Sequence, residues 1–365
     1  MEFDAIVIGG GLAGTATAYY LAKAGVGTLL LERGDLNTQA SGSNAGSLHA
    51  QIAYEPFSLQ GDEWAREFAP VIRLLKESIE IWRGLPQELG ADLEVSLQGG
   101  LIVARTAAEM RMLERKAALE RSVGLEVELL SRADLLVRAP YLAESIIGGT
   151  FCAIEGKANP LRAAPAFAAA AERLGARIER RAEVVGISRR ERGGFEVTTL
   201  RGTFSAGRVV NAAGVDAGTI ARMLGVELNV YGEAIQVSVT EPVEPLVPHL
   251  VYCAWEKLSL KQTALGTILI GGGWPADRDA RGRPLVNADS LANNLAVALN
   301  VVPSLASAKI ARTWAAEVNG NDSWKPMIGE VPGVPGFYVN FFPWLGFTGG
   351  PIAARSVAEL IAAAR

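Results

Sequence analysis

The amino-terminal segment changes from a strand pattern to a helical pattern and back again. Residues 3–8 form a short, largely apolar run, which predicts a buried strand. A glycine-rich turn at 9–14 is followed by apolar residues at helical spacing, and this pattern stops at Gly25. A second apolar run at 27–31 ends at Glu32. The segment is therefore predicted to form a βαβ unit of about 30 residues.

The rest of the chain begins with helical patterns and then turns to strands. The predicted helices cover residues 62–82, 106–122, 160–175, 289–300 and 351–364, and a short one opens near Ser131. The predicted strands cover residues 99–104, 183–190, 195–200, 203–206, 207–213, 230–240 and 267–271. Residues 37–51, rich in Ser, Gly, Asn and Ala, are predicted to form a loop. The order of these elements indicates a discontinuous two-domain protein of the α/β plus α+β class.

Composition and charge narrow the possible functions. With 49% hydrophobic and 20% charged residues, the 365-residue chain is typical of globular proteins with a sizeable core. The formal net charge of −4 gives no reason to expect a nucleic-acid partner. Two histidines and two distant cysteines are too few for a His-rich metal site or a disulfide framework, so no metal is expected. No signal peptide or transmembrane segment is predicted, and we expect a cytoplasmic protein.

The glycine-rich turn has the spacing of a dinucleotide-binding fingerprint. Gly9 permits the tight turn, Gly11 lets the backbone approach a pyrophosphate, and Gly14 allows the helix to pack closely on the strand. The helix amino terminus offers N–H groups to the diphosphate. Glu32, at the end of the second strand, can accept hydrogen bonds from ribose hydroxyls. The alternative is a structural glycine-rich turn with Glu32 as a solvated charge, and the fingerprint alone leaves NAD and FAD open.

Four segments, spread over nearly the whole chain, resemble the D-amino-acid oxidase-like family of FAD enzymes, which includes glycine oxidase and sarcosine oxidase. They are residues 9–32, the small-residue loop 40–47, the strand-to-glycine turn 209–214, and the motif 326–329 followed by 346–351. Within the family, residues 44–49 and 271–275 are most similar to flavin subunits of heteromeric opine and D-hydroxyproline dehydrogenases and of hydrogen cyanide synthase.

The resemblance implies a Rossmann-like, glutathione-reductase-like FAD-binding domain and a second, antiparallel-sheet domain that binds substrate. It assigns residues 1–80, 145–220 and 310–365 to the FAD-binding domain, and 81–144 and 221–309 to the substrate domain. Sarcosine oxidases attach their flavin covalently to a cysteine near the carboxy-terminal motif. Because no cysteine follows Cys253 here, FAD is expected to be bound non-covalently. The residues expected to bind FAD are Gly9, Gly11, Leu12, Ala13, Gly14, Glu32, Arg33, Ser41, Gly42, Asn44, Ala45, Gly46, Ser47, Val184, Ala213, Gly214, Gly346, Phe347, Thr348, Gly349 and Gly350.

Gly349 and Gly350 are expected to precede the carboxy-terminal helix. A helix amino terminus aimed at the flavin would stabilise the negative charge of its reduced form. The alternative is an ordinary glycine-rich start to a helix.

The resemblance also implies an activity. The expected reaction oxidises the C–N bond of an amino acid, imino acid or secondary amine such as an opine, with hydride transfer to flavin N5. Because this reaction needs little acid–base machinery, no general base is assigned. The small-residue loop 40–47 is expected to pass along the flavin and is called the flavin loop. The candidates for the catalytic site are His49, directly after the flavin loop, Tyr252, and Lys261, a lysine that would assist the reaction of the flavin with oxygen. For each, the alternative is an ordinary structural role in the core or on the surface.

One position departs from the family pattern. Many relatives carry an Arg before the Pro-x-Ile-Gly motif that holds the substrate carboxylate, and here Val318 occupies that position. Replacement anchors are sought among Lys261, Arg312, Arg283 and Lys325, and Tyr231 is a further candidate substrate contact.

Three hypotheses remain open. The first is a catalytic amine oxidoreductase that acts alone or with other subunits of a heteromeric dehydrogenase. The second is a non-catalytic or electron-transfer/docking FAD subunit of such a dehydrogenase. An NAD-dependent dehydrogenase is the third, against which the carboxy-terminal glycine motif argues.

Overall fold

The computed structural model describes residues 2–364, which fold into two large sheets with helices packed against them. The helices within this range are α1 (Leu12–Lys23), α2 (Ala40–Ser43), α3 (Tyr54–Leu89), α4 (Ala107–Ser122), α5 (Arg132–Arg138), α6 (Pro160–Arg173), α7 (Ala217–Arg222), α8 (Ala288–Val301) and α9 (Gly346–Ala363). Two 3₁₀ turns cover Gly214–Asp216 and Pro303–Ser307.

The first sheet has a parallel centre built around the amino-terminal strand. Its strands are β1 (Glu2–Ile8), β2 (Thr28–Leu31), β8 (Arg177–Glu179), β9 (Val184–Arg189), β10 (Phe195–Thr199), β11 (Gly202–Asn211), β19 (Met327–Glu330) and β20 (Phe337–Phe341). The order is β19-β20-β11-β1-β2-β8, and β9 and β10 form an antiparallel extension on β11. Because β1 runs parallel to both β2 and β11, the carboxyl ends of these three strands meet at one edge.

The second sheet is mainly antiparallel. Its strands are β4 (Gly100–Ala104), β5 (Glu128–Ser131), β6 (Gly148–Cys152), β12 (Tyr231–Thr240), β13 (Leu250–Cys253), β14 (Ser259–Gln262), β15 (Ile268–Pro275) and β18 (Ile310–Gly320). They follow the order β18-β12-β15-β14-β13-β4-β6-β5, with one parallel pair, β13 and β4. Two small ribbons pair β3 (Ser47–Leu48) with β7 (Gly156–Lys157) and β16 (Asp277–Arg278) with β17 (Pro284–Leu285).

The main core lies beneath the first sheet, where α1 packs between α6 and α9 and α3 lies beside α9. Small residues along α1, such as Ala16 and Ala18, are completely buried and let the neighbouring helices approach closely. The long helix α3 is interrupted at Gly61, whose φ of 76° is outside the helical region. The helix predicted to begin at residue 62 is therefore preceded by a further helical segment, residues 54–60.

Several local expectations differ from the structure. The two strands predicted at 203–206 and 207–213 are one continuous strand, β11. The last helix begins at Gly346, so Gly349 and Gly350 lie inside its first turns instead of before it. The predicted loop 37–51 contains α2 and the short strand β3, because Ser47–Leu48 finds a pairing partner far along the chain in β7.

The predicted fold class is confirmed by this architecture of a Rossmann-like sheet joined to a mainly antiparallel one. The domain boundaries remain a prediction, and two strands assigned by them to the FAD-binding domain, β6 and β18, pair within the second sheet. Among the helices of residues 2–364, none combines the length and the apolar character that are needed to cross a bilayer.

Candidate cofactor and active site

A groove runs along the edge where β1, β2 and β11 end. Its lining includes fourteen of the residues that were predicted to bind the cofactor, brought together from six parts of the chain. They are Gly9, Gly11, Leu12, Ala13, Glu32, Arg33, Ser41, Asn44, Val184, Ala213, Gly214, Gly346, Phe347 and Gly350. The parallel strands explain much of this convergence, because each strand delivers its following turn to the same edge.

Glycine is required where the first strand turns into α1. Gly9 has a φ of 114°, a conformation that side chains of L-residues rarely adopt. A Cβ on Gly14 would lie 1.8 Å from the carbonyl oxygen of Gly9, so this residue must be glycine for the helix to sit on the strand. A Cβ on Gly11 would point at the Ser41 hydroxyl, 2.8 Å away, on the wall of the groove.

Glu32 is held firmly at the end of β2. One carboxylate oxygen accepts a hydrogen bond from the Gly10 N–H at 2.6 Å, and the other accepts one from the Gly34 N–H at 2.7 Å. The neighbouring Arg33 forms an ion pair with Asp216 at 2.9 Å, and both residues line the groove. Each carboxylate oxygen of Glu32 retains a second lone pair, as acceptance of a ribose hydroxyl requires.

Two buried amide oxygens in the groove support a polar ligand there. The Oδ1 atoms of Asn37 and Asn340 have no hydrogen-bond partner within residues 2–364, and both residues line the groove. Buried polar atoms are almost always hydrogen-bonded in native proteins. A ligand that carries hydroxyl or N–H donors, as a flavin dinucleotide does, fits these two acceptors.

The small-residue loop 40–47 is shaped by its own side chains and by close backbone contacts. The Asn44 amide donates to the carbonyl oxygens of Ala40 and Ser41, and its oxygen accepts the Gly46 N–H. Gly46 has a φ of 74°, and a Cβ on it would lie 2.2 Å from the Ala158 carbonyl oxygen. Gly42 is similarly constrained, because a Cβ would lie 2.0 Å from a backbone carbonyl oxygen, that of residue 37.

The start of α9 is bonded to the end of this loop. The Thr348 hydroxyl accepts the His49 N–H at 3.0 Å and donates to the Ser47 carbonyl oxygen at 3.2 Å. The Thr348 carbonyl oxygen accepts hydrogen bonds from the Ser78 hydroxyl and from Trp82 Nε1. Thr348 is completely buried and therefore joins the loop to α3 without lining the groove itself.

Gly349 is also internal to the structure. A Cβ on this residue would lie 2.3 Å from the Phe342 ring. Glycine is therefore required here by packing inside α9, and the residue does not line the groove.

Beyond the loop, the three predicted catalytic residues meet in one cluster. His49 Nδ1 and the Tyr252 hydroxyl are hydrogen-bonded, with the two ring centroids 5.2 Å apart. Lys261 Nζ donates to the hydroxyl oxygens of Ser47 at 2.6 Å and Ser259 at 3.2 Å. The structure thus brings together residues separated by up to 214 positions in the chain.

Burial keeps this cluster close to electrical neutrality. It lowers the pKa of His49 to about 3, with the nearby Lys261 ammonium as a second cause, so the imidazole is neutral at physiological pH. It also lowers the pKa of Lys261 to about 7, and Lys157 adds a smaller repulsion. The pKa of Tyr252 is raised well above its ordinary value by the same loss of water. No carboxylate contacts the Lys261 ammonium within 4 Å among the described residues.

Of the other predicted anchors for a substrate carboxylate, Arg312 lines the same cavity as Lys261, and Arg283 and Lys325 do not. Arg283 is paired with Asp279, and Lys325 with Glu67, both on the surface. The Arg312 guanidinium lies 5.9 Å from the centroid of a tryptophan ring, that of residue 314.

Two further positions singled out in the sequence can be placed. Val318, the position at which the family resemblance implied an arginine, lines the groove. Tyr231 packs edge-on against Trp344, with the ring centroids 5.9 Å apart. Trp344 itself lines the groove, so Tyr231 contacts the wall of the groove from behind.

Ser259 belongs to the cluster although it was not predicted. It precedes Lys261 by two positions on β14, so the two side chains share one face of the strand. This alternation would have identified Ser259 only together with a predicted strand at 259–262, which was missed.

A second cavity adjoins the loop 40–47. It has a volume of about 530 Å³ and is lined by Gly42 and Ala45 together with Lys157, Lys261 and Arg312. Two of the residues predicted to bind FAD, Gly42 and Ala45, therefore face this cavity and not the groove.

Both cysteines, Cys152 and Cys253, are buried. Burial raises the pKa of the Cys253 thiol to about 12 and that of the Cys152 thiol still further. Neither of these two residues lines the groove.

The Gly11→Val substitution tests the groove. The new side chain projects toward Ser41 where the diphosphate is expected, so we expect the purified protein to lose its flavin absorbance while remaining folded. Gly84→Val is the matched control, because nothing lies within 4 Å of a Cβ at that exposed helical position. A Gly11→Val protein with full flavin content would contradict the assignment.

The depressed pKa of Lys261 predicts a pH dependence of stability. Between a pH of about 7 and the ordinary lysine pKa of 10.5, the unfolded chain holds this proton and the folded chain does not. The free energy of unfolding therefore rises with pH in this window, by at most about 1.4 kcal/mol per pH unit from this residue. Lys261→Met is expected to remove that part of the slope, and the exposed Lys309→Met control is expected to retain it, in urea titrations at several pH values. Equal slopes for the wild type and Lys261→Met would contradict the buried-amine interpretation.

Comparisons with known proteins agree with this architecture. The chain is 28% identical to the beta subunit of sarcosine oxidase from Arthrobacter sp, over 99% of this chain and 87% of that protein. It is 28% identical to the glycine oxidase of Geobacillus kaustophilus, over 99% of this chain and 93% of that protein. The crystal structure of glycine oxidase from the same organism superposes with a TM-score of 0.88 at 26% identity, covering 99% of this chain and 94% of the other. An opine oxidase subunit from Agrobacterium tumefaciens is 28% identical over 86% of this chain and 81% of its own length.

A family model described as FAD dependent oxidoreductase matches residues 4–360, nearly the whole chain. The expectations of family, FAD cofactor and oxidoreductase class are thereby confirmed, and the choice between NAD and FAD is decided in favour of FAD. The chain belongs to the DAO family of FAD dependent oxidoreductases.

Proposed function

We propose that this protein oxidises the C–N bond of an amino acid, imino acid or secondary amine. When bound, FAD supplies the two-electron acceptor that takes the substrate hydride. The proposal is supported by relatives named glycine oxidase, sarcosine oxidase and opine oxidase, which match most of the chain length. The amine loses a hydride from the α-carbon and a proton from nitrogen, and water then hydrolyses the imine to a carbonyl compound and an amine or ammonia.

The observation that carries the proposal is the buried cluster of His49, Tyr252 and Lys261, in which no carboxylate contacts the Lys261 ammonium within 4 Å among the described residues. An amine can release an α-hydride only when its nitrogen lone pair is free. While Lys261 is protonated, at a pH near or below its pKa of about 7, its ammonium has no carboxylate in contact and disfavours a second, protonated amine nearby. The chain therefore promotes the reactive form of the substrate electrostatically, which requires no dedicated general base.

The cofactor would be held mainly by backbone groups. The α1 amino terminus and the glycines at 9–14 face the diphosphate region of the groove, and Glu32 lies where ribose hydroxyls are expected. The loop 40–47 and the first turn of α9 close the opposite end. We propose non-covalent attachment, since both cysteines are buried outside the groove.

The proposed substrate is larger than a simple α-amino acid. Val318 lines the groove at the position where many relatives place an arginine, and an apolar side chain cannot hold a carboxylate. We propose a larger secondary amine, such as an opine or imino acid, that is oriented through the rest of its surface.

The electron acceptor is proposed to be another subunit of a heteromeric assembly. Two of the relatives are named as subunits of oxidases, which supports such an assembly. The cavity of about 530 Å³ lies against residues 42–45 of the flavin loop and carries Lys157, Lys261 and Arg312 on its wall.

An anaerobic absorbance titration tests the proposed function. The purified flavoprotein is mixed with amino acids, imino acids, secondary amines and opines in the absence of oxygen, and the flavin band is recorded. We expect bleaching by one class of amine, with secondary amines ahead of glycine. A flavin that is reducible by dithionite but by no amine would favour the non-catalytic docking subunit instead.

Val318→Arg tests the substrate assignment. A guanidinium at this position offers a bidentate partner to a carboxylate, so we expect a lower KM for small α-amino acids such as glycine. Val318→Met, which is long and uncharged, serves as the control for the change in volume. Equal KM values for the Arg and Met variants would show that position 318 does not face the substrate carboxylate.

A further inference from the structure

Four consecutive backbone N–H groups after the flavin loop are bound by side chains from distant parts of the chain. His49 donates to Thr348, as described above, and the next three N–H groups donate to carboxylates. Ala50 and Gln51 donate to Glu155 Oε1 at 2.6 and 2.7 Å, and the N–H of residue 52 donates to Glu120 Oε1 at 2.7 Å. The segment 49–52 lies outside any helix or strand, so these side chains replace a β-ladder.

The carboxylates belong to a buried polar network. Glu155, Glu120 and Lys116 are completely buried, and Gln51 almost so. Lys116 Nζ donates to Glu120 Oε1 at 2.7 Å and to Gln51 Oε1 at 3.5 Å, and the Gln51 amide donates to Glu155 Oε2 at 2.9 Å. The Thr150 hydroxyl donates to Gln51 Oε1 at 2.8 Å. Gln51 therefore joins the two acidic residues into one unit.

Burying two carboxylates with one ammonium is costly, which makes a simple stabilising role a poor explanation. Desolvation of unpaired charge opposes folding, and well-packed apolar residues of similar size are often at least as stable. Burial raises the pKa of Glu155, while its hydrogen bonds from Ala50 and Gln51 act in the opposite direction. The adjacent strand fits closely around this carboxylate, since a Cβ on Gly100 would lie 1.9 Å from Glu155 Oε2.

The network connects the second sheet to the active-site cluster. Glu155 follows β6, Glu120 lies on α4 and Thr150 on β6, and none of these three lines the groove. The segment they hold begins with His49, whose imidazole is bonded to Tyr252. A shift of this backbone would move the imidazole directly, because the adjacent N–H groups fix the direction in which the chain leaves the flavin loop.

We propose that Glu155 and Glu120, joined through Gln51 and Lys116, are positioning residues that hold the backbone of residues 49–52, and with it the His49–Tyr252 pair, in place at the end of the loop 40–47. Neither carboxylate lines the groove, so both act through the segment. The link to turnover rests on the proposed function, whereas the link to the backbone does not.

The experiment combines amide hydrogen exchange with flavin reduction in the Glu155→Gln holoenzyme. The variant keeps Oε1 for the Ala50 and Gln51 N–H groups but turns an NH₂ group toward the Gln51 amide, so two donors meet. We expect exchange in the peptide containing residues 49–52 to accelerate about tenfold, the equivalent of one lost hydrogen bond. We expect the rate of flavin reduction at saturating amine to fall about tenfold or more with KM unchanged, as misplacement of an active-site group predicts.

The charge-conserving swap Gln51→Glu/Glu155→Gln provides the rescue. The carboxylate introduced at position 51 accepts from the amide introduced at position 155 and remains beside Lys116 and Thr150, so these contacts are complementary again and the net charge is unchanged. Only the long bond from the Gln51 amide to the Gly100 carbonyl oxygen, 3.4 Å, is lost. We expect both exchange and flavin reduction to return toward wild-type values. Glu67→Gln, at an exposed ion pair with Lys325, is the matched control and is expected to change neither.

The outcomes are distinguishable. Unchanged exchange in Glu155→Gln, or faster exchange with an unaltered reduction rate, would overturn the positioning role. If no amine in the panel reduces the wild-type flavin, the proposed function alone is overturned. The positioning role is then judged from hydrogen exchange and from FAD binding. We expect Glu155→Gln to raise the Kd for FAD and the swap to restore it. If Glu155→Gln does not fold, Thr150→Val is used instead, because it removes only the hydroxyl donor to Gln51. We expect faster exchange and slower flavin reduction in this variant too, but by smaller factors. Unchanged exchange in Thr150→Val would also overturn the positioning role.

Discussion

Backbone N–H groups buried outside regular secondary structure must find acceptors, and the candidate active site depends on how the chain between the two sheets meets this requirement. From residue 46 to residue 52 the backbone donates in turn to Asn44, Thr348, Glu155 and Glu120. These acceptors come from different parts of the chain, so the segment is fixed relative to the groove, to α9 and to the second sheet together. The consequence of this solution is buried charge, which a pair of longer strands would have avoided.

Two buried lysines, Lys116 and Lys261, have different partners and different roles. Lys116 contacts a carboxylate four positions away on its helix, and its charge balances part of the buried acidic pair. Lys261 is bonded to hydroxyl groups, which do not compensate a charge, and its pKa falls accordingly. Lys116 therefore helps to fix the geometry of the buried network. Lys261 remains able to change protonation state near neutral pH, next to the residues that would meet the substrate.

Much of the cofactor half of the site could be predicted from sequence, because its chemistry is local. The glycine spacing at 9–14 and the carboxylate at Glu32 lie within one βαβ unit, and backbone sterics dictate the residue types. The cluster of His49, Tyr252 and Lys261 could be named only through family resemblance, since His49 is more than 200 positions from the other two. The buried network was not predicted at all. Periodicity describes one element at a time and carries no signal for a carboxylate that serves another segment's backbone.

The state of the two cysteines has a consequence for the lifetime of the protein. Flavins that are reduced by substrate and exposed to oxygen release hydrogen peroxide, and a thiolate close to the flavin would be among the first groups oxidised. Cys152 and Cys253 are buried and held as thiols by pKa values far above neutrality. Peroxide reacts with the thiolate form, so both residues are poor targets. Neither cysteine therefore offers a thiolate to peroxide that forms when the reduced flavin meets oxygen.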